Sequence, residues 1–268
     1  MKKNFEIIQS LKNPKVKTWM NLKTKQGRNE QGLYLIEGIK IIEEALNSRQ
    51  EVMSIIYTRD KEIPDSWQIQ IEQSMQPINF YQVSQSIVDK LSDTKTPQGF
   101  FAILKQEQHS LETLKSRSFL LLVDEIQDPG NLGTIIRSAD AAGVEGIILG
   151  NGTVDPYNDK VIRSAMGSIF HLPIVKASLD EVIFHLQQSD FQVIGTSPYA
   201  EKAYFDVDYK QKTVILVGNE SRGLSESRKD QVDQMVKIPF MGQAESLNVA
   251  TATSIILFER VRQLLKQA

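Results

Sequence analysis

The chain has 268 residues, a formal net charge of −2 and 41% apolar residues with 15 glycines besides, enough to bury a core in one large domain or two smaller ones. It has no cysteine and only three histidines, His109, His171 and His185, at no metal-ligand spacing, which excludes disulfides and thiolate chemistry and disfavours a histidine zinc site. No run of about 18 apolar residues is present and Met1-Lys-Lys-Asn-Phe-Glu lacks an apolar signal core, so the expectation is a cytoplasmic protein without a membrane span.

Residues 1–28 carry Lys2, Lys3, Lys12, Lys15, Lys17, Lys23, Lys25 and Arg28 against one acid, Glu6, with Trp19 among them. Such an arm can track phosphates while the aromatic stacks on a base; a solvated helix face would read the same way. From Leu33 the pattern alternates. Strands are expected at Leu33–Ile36, Val52–Tyr57, Ile78–Val83 and Phe100–Leu104, and helices at Ile39–Leu46, Ser66–Ser74 and Ser86–Leu91, a small α/β unit. Thr94-Lys-Thr-Pro-Gln-Gly99 reads as a surface turn or as a substrate contact. The polar stretch that follows is a linker. The expected division is a first domain over 1–106, a linker over 107–118 and a second domain over 119–268.

The second domain opens on Phe119-Leu-Leu-Leu-Val123, apolar throughout as a buried parallel strand should be. A helix carrying Leu132, Ile135, Ile136, Ala139 and Ala142 on one face follows, with Asn131 as its expected cap and Gly143 as its end. Next come a strand at Ile147–Leu149, a helix at Lys160–Phe170, a strand at Leu172–Val175, and a capping box at Ser178-Leu-Asp-Glu181. Strands at Phe191–Gly195 and Thr213–Val217 and a short helix at Ser225–Val232 complete the alternation. The last strand, Met235–Ile238, ends at Pro239, because the residue before a proline avoids helix. Ser246 stands at the N-cap of a final helix whose Leu247, Ala250, Ser254, Phe258, Val261 and Leu265 share a face. The whole reads as a parallel sheet with helices on both sides.

Ligands bind beyond the carboxyl ends of strands in such sheets. Three loops stand there: Asp124-Glu-Ile-Gln-Asp-Pro-Gly-Asn131 running to Arg137, Gly218-Asn-Glu-Ser-Arg-Gly-Leu224, and Ile238-Pro-Phe-Met-Gly-Gln-Ala-Glu-Ser-Leu-Asn248. Arg137 lies off the apolar stripe of its helix; taken alone it is a solvated arginine, and Glu220 a surface acid on a tight turn. No dinucleotide fingerprint or P-loop is present, which disfavours nicotinamide and nucleoside-triphosphate enzymes.

Taken in order, these loops resemble the SpoU (TrmH-like) branch of the SPOUT RNA methyltransferases over roughly residues 120–265. Leu35-Ile-Glu-Gly38 and Thr96-Pro-Gln-Gly99 are similar to the family's small ribosomal-protein-like substrate-binding domain. The resemblance implies an α/β domain with a trefoil knot, a smaller α/β domain before it, and 2′-O-methylation of a ribose in structured RNA with S-adenosylmethionine as donor. It also implies a homodimer with its sites near the interface. It assigns cofactor contacts to Thr196, Gly218, Ile238 and Leu247, and the family's polar set to Asn131, Arg137, Glu220, Ser246 and Asn248. Ser221 stands where the family often has glycine, and Ala250 where it has serine. Ribosomal RNA is expected over transfer RNA, on the strength of the separate substrate domain. No metal is expected. A non-catalytic RNA-binding protein of the same fold is the alternative of a different class, and the intact polar set argues against it.

Overall fold

The alternating apolar pattern of the first hundred residues closes into a five-stranded sheet, and the later run of apolar strands into a separate, wholly parallel one. The computed structural model describes residues 4–74, 76–114, 116–209 and 211–266. They fall into two units: the first runs to Glu107 and takes in Tyr157–Ile162, and the second holds Gln108–Pro156 and the chain from Arg163 onward.

In the first unit the strands are β1 (Asn4–Ile8), β2 (Leu33–Glu37), β3 (Val52–Thr58), β4 (Asn79–Val83) and β5 (Phe100–Lys105), in the order β1-β4-β3-β5-β2. The helices are α1 (Pro14–Asn21), α2 (Lys25–Gln31), α3 (Ile39–Asn47), α4 (Gln68–Gln73) and α5 (Gln85–Leu91). β1, β4 and β3 are parallel, and β5 runs antiparallel between β3 and β2. β1 escapes sequence reading because its five residues sit in the lysine-rich arm and only Ile8 enters the core, while Phe5 and Ile7 stay exposed.

The arm itself departs from expectation. Trp19 is 4% exposed and packs on Tyr81, so it is a core residue and not a stacking platform. Arg28 is buried, with its guanidinium donating to the carbonyls of Leu22 and Lys23 behind α1. Lys15 pairs with Glu6, and Lys23 with Asp93 at 2.7 Å. Lys12, Lys17 and Lys25 remain exposed, and Lys2 and Lys3 lie outside the described residues.

In the second unit the strands are β6 (Phe119–Val123), β7 (Ile147–Leu149), β8 (Ile174–Lys176), β9 (Gln192–Thr196), β10 (Lys202–Ala203), β11 (Thr213–Val217) and β12 (Gln234–Lys237). All neighbours are parallel, in the order β10-β12-β9-β11-β6-β7-β8. Every residue of the central β6 and β11 is buried, as their unbroken apolar sequences require. The helices are α6 (Pro129–Ala141), α7 (Asp159–Ala165), α8 (Leu179–Gln187), α9 (Glu226–Lys229) and α10 (Val249–Leu265). β11 comes late in the chain yet lies between β9 and β6. That interleaved order is the one a threaded chain needs, and no rule of short unthreaded connections would give it.

Four local expectations are corrected. The helix expected over Lys160–Phe170 stops at Ala165, because Met166 and Gly167 are both left-handed, and resumes as one 3-10 turn. Ser178 precedes α8, but its hydroxyl makes no capping bond. α6 is capped by Asp128 and not by Asn131: the Asp128 carboxylate accepts from the Asn131 N–H at 2.9 Å, with Pro129 in the first turn. α10 is capped by Asn248 and not by Ser246. Its buried residues are Ala250, Thr253, Ile256, Leu257 and Glu259, whereas Leu247, Phe258 and Leu265 are exposed. Polar groups tolerate that inner face because the Thr253 hydroxyl donates to the Val249 carbonyl and Glu259 is met by Arg262 and Gln263.

Candidate active site

The loop after β11 begins with a glycine that has no room for a side chain. A Cβ on Gly218 would lie 2.5 Å from the carbonyl carbon of Gly223 and 2.7 Å from the Leu224 nitrogen. The loop is folded tightly on itself: Asn219 and Gly223 exchange N–H···O bonds of 3.1 and 2.9 Å, and Gly223 takes a left-handed φ of 65°. The Asn219 side chain fixes the rest. Its Oδ1 accepts from the Ser221 and Arg222 N–H groups, and its Nδ2 donates to the carbonyl of Glu125.

Glu220 projects from this loop into the one after β6. Its carboxylate accepts from the Gln127 N–H at 3.2 Å, the Asp128 N–H at 3.0 Å and Asn131 Nδ2 at 3.2 Å. Burial by itself would push its pKa up, but the Asp128 N–H, its own N–H, the Asn131 amide and the Gln127 N–H outweigh it and hold the carboxyl below its ordinary range. The chain of bonds continues. Asn131 Oδ1 accepts from Asn248 Nδ2 at 2.9 Å, and Asn248 Oδ1 accepts from the Ala250 and Thr251 N–H groups at the start of α10. One acid and two amides thus tie the β11 loop, the start of α6 and the start of α10 together, with the orientation of each amide set by its neighbours.

A cavity of about 370 Å³ opens beside these loops, within the range of small-molecule sites. Thr196, Gly218, Ile238 and Leu247 all line it, and so do Glu220 and Ser246. Asn131 and Asn248 stand behind it, one hydrogen bond away from Glu220 and from each other. Arg137 is not in the lining. It lies exposed on α6, with no hydrogen bond or ion pair among the described residues.

Sequence reading passed over three residues of this site. Asp128 was legible as an acid directly before Pro129, the usual start of a helix. Asn219 lies inside a quoted motif, but nothing in its spacing foretells two turn bonds. Glu125 holds a left-handed φ of 55°, which no sequence signal announces. Among the described residues no cluster of three His, Cys, Asp or Glu side chains is placed to hold a metal ion, and no helix is long and apolar enough to cross a membrane.

A glycine that admits no side chain, at the carboxyl end of a central parallel strand, faces a cavity lined by the loops after β9, β11 and β12. An open α/β sheet with its pocket beyond the carboxyl ends of the strands is the arrangement of a ligand-binding α/β protein of the nucleotide- or nucleoside-cofactor kind. Residues 118–258 match the SpoU rRNA methylase family, and residues 13–102 match the MRM3-like substrate binding domain. The chain belongs to the SpoU rRNA methylase family, and it is an RNA 2′-O-methyltransferase that uses S-adenosylmethionine. It is 37% identical over 251 residues to the Bacillus subtilis 23S rRNA (guanosine(2553)-2′-O)-methyltransferase RlmP, covering 94% of this chain and 97% of that one. It is 30% identical over 261 residues to a Streptomyces viridochromogenes 23S rRNA (uridine(2479)-2′-O)-methyltransferase, covering 94% and 91%. The solved AdoMet-bound rRNA methyltransferase from Sinorhizobium meliloti superposes with a TM-score of 0.88 at 32% identity, over 97% of this chain and 99% of that one.

Proposed function

We propose that this enzyme methylates one ribose 2′-hydroxyl of 23S rRNA, in the cytoplasm and as a homodimer, with residues 119–268 as the methyltransferase domain and 1–106 as the RNA-binding domain. The observation that carries the reading is the lining of the cavity, where the four positions assigned to the methyl donor, Thr196, Gly218, Ile238 and Leu247, face one space. S-adenosylmethionine supplies a methyl already activated on a sulfonium, so the chain's task is to place an oxygen in line with it. Gly218, Ile238 and Leu247 serve through main-chain groups, which suits an adenine edge and explains why their side chains need no chemistry. Glu220 and Ser246 shape the walls, and Asn131 and Asn248 hold the loops in register.

A ribose hydroxyl is a weak nucleophile until its proton is drawn away. Arg137 does not accept that proton, because a guanidinium stays charged. It grips the neighbouring phosphate and turns the hydroxyl toward the methyl, and the proton leaves to phosphate or water. The two curated relatives act on a guanosine and on a uridine. The reacting sugar is common to both, so the choice of nucleotide belongs to contacts outside the pocket. Support for the dimer comes from α10, whose outward Phe258 and Leu265 are apolar and exposed.

Mapping 2′-O-methyl groups in RNA from cells with and without the protein tests the proposal. Loss of a single 23S ribose methylation is expected, and loss confined to a transfer RNA would refute the substrate. In vitro, Arg137→Ala should bind the donor normally and transfer no methyl group; retained turnover would remove Arg137 from the chemistry.

A further inference from the structure

We propose that Arg222 binds the amino-acid carboxylate of the methyl donor, so that the donor is recognised at its charged end as well as at its adenine; this rests on the reading of the cavity as the donor pocket. The donor has two chemically distinct ends, and so does the lining. Ile238, Leu247 and Ile256 offer apolar surface, whereas Arg222 and Lys229 are its cations. Arg222 is the better placed of the two to take a new anion. Lys229 Nζ is already paired with Glu226 one helical turn away, at 2.7 Å. Arg222 uses Nη2 alone, which donates to Glu125 Oε2 at 2.7 Å, and its Nε and Nη1 make no hydrogen bond among the described residues. A guanidinium carries five N–H donors in a planar fork suited to a carboxylate, so one edge can stay on Glu125 while another meets a ligand.

The geometry behind Arg222 is built for this. Glu125 is held in a left-handed conformation that ordinary residues avoid, and its carbonyl accepts from Asn219 Nδ2 at 2.9 Å. Gly152 faces its side chain, where a Cβ would come within 3.2 Å of Glu125 Cγ. Asn219 also fixes the Arg222 backbone through a 3.2 Å bond to its N–H. The pair is nevertheless open to solvent, with side chains 71% and 46% exposed, so it locks neither partner and leaves the arginine free to engage a second anion.

Calorimetric titration with two probes decides the matter. S-adenosylhomocysteine keeps the amino-acid end, and 5′-methylthioadenosine lacks it. In Arg222→Met the affinity for S-adenosylhomocysteine should fall about tenfold to a hundredfold, the usual worth of a charge-assisted hydrogen bond. Affinity for methylthioadenosine should stay within about twofold, which also reports that the pocket is still folded. Equal losses for both probes, no loss for either, or a selective loss in Lys229→Met in place of Arg222→Met would overturn the assignment. If the unaltered enzyme bound neither probe, the donor pocket itself would fall, and Arg222 with it.

Discussion

Glu220 is held by its own N–H and by donors from one turn, Gln127 to Asn131, so its charge organises a loop from another part of the chain. Because its carboxyl is held below the ordinary value of 4.5, the stability it lends is fully present above that value and is lost as pH falls through the lower, folded value. Glu220→Gln removes this dependence. The melting-temperature difference between wild type and variant should therefore be present at neutral pH and shrink in acid; a difference that grows in acid would contradict the assignment. Methyl transfer at saturating donor should drop by roughly tenfold or more, since a charge-assisted bond in the clasp is replaced by a neutral one. At this scale the sequence picked out residues that the fold gathers at one cavity and its supporting hydrogen bonds, except Arg137, but not what each side chain touches. Glu220 and Asn131 stood out by motif, but a motif does not say that an acid will be spent on backbone N–H groups. Trp19 shows the opposite limit: lysines around an aromatic read equally as an RNA-tracking arm or a solvated face, and neither reading has its indole in a core.

Helices α6 and α10 are each started by a side chain, and only one of the two caps also belongs to the clasp. The Asp128 carboxylate caps α6, and Asp128→Ala should cost about 1 kcal/mol of stability or more in a chemical denaturation curve. Asn248 does two things: Oδ1 caps α10 and Nδ2 reaches Asn131. The functions separate on substitution. Asn248→Asp keeps the cap acceptor but sets a carboxylate against Asn131 Oδ1, or draws the Asn131 amide away from Glu220. It should lose methyl transfer while staying within roughly 0.5 kcal/mol of wild type, whereas Asn248→Ala should lose activity and about 1 kcal/mol as well. Full activity in the aspartate variant would show that the link to Asn131 is idle. Element boundaries were legible where burial is uniform, as in β6 and β11. They failed where two cap-competent residues stand close together: Ser246 and Asn248 differ by two positions, and only the three-dimensional path of the loop selects between them. The two-residue β10 and the left-handed pair Met166-Gly167 leave no periodic signal at all.

At the level of the whole molecule, the parallel sheet followed from alternation, but its order did not. Nothing local tells β11 to lie between β9 and β6, so the threading was reached only by resemblance. The same holds for the relation between Arg137 and the cavity. The loops after β9, β11 and β12 line the cavity and the loop after β6 does not, and the arginine assigned to the chemistry is likewise outside the lining, on an exposed face of α6. α6 packs beside α10, as the 2.7 Å bond between the Ser138 and Ser254 hydroxyls shows, and α10 presents exposed Phe258 and Leu265. If the proposed homodimer forms through these helices, Arg137 of one copy can serve either its own cavity or its partner's. Mixing variants tests this without a structure. Arg137→Ala keeps its pocket and loses its arginine. Gly218→Val keeps its arginine and loses its pocket, because any Cβ there meets Gly223 backbone at 2.5 Å. If Arg137 serves its own cavity, neither homodimer nor mixed dimer works. If it serves the partner's, each mixed dimer has one complete site, and random exchange should restore about a quarter of wild-type methyl transfer. Co-purified mixed dimers that stay inactive, with donor still bound by the Arg137→Ala subunit, would rule out service between subunits.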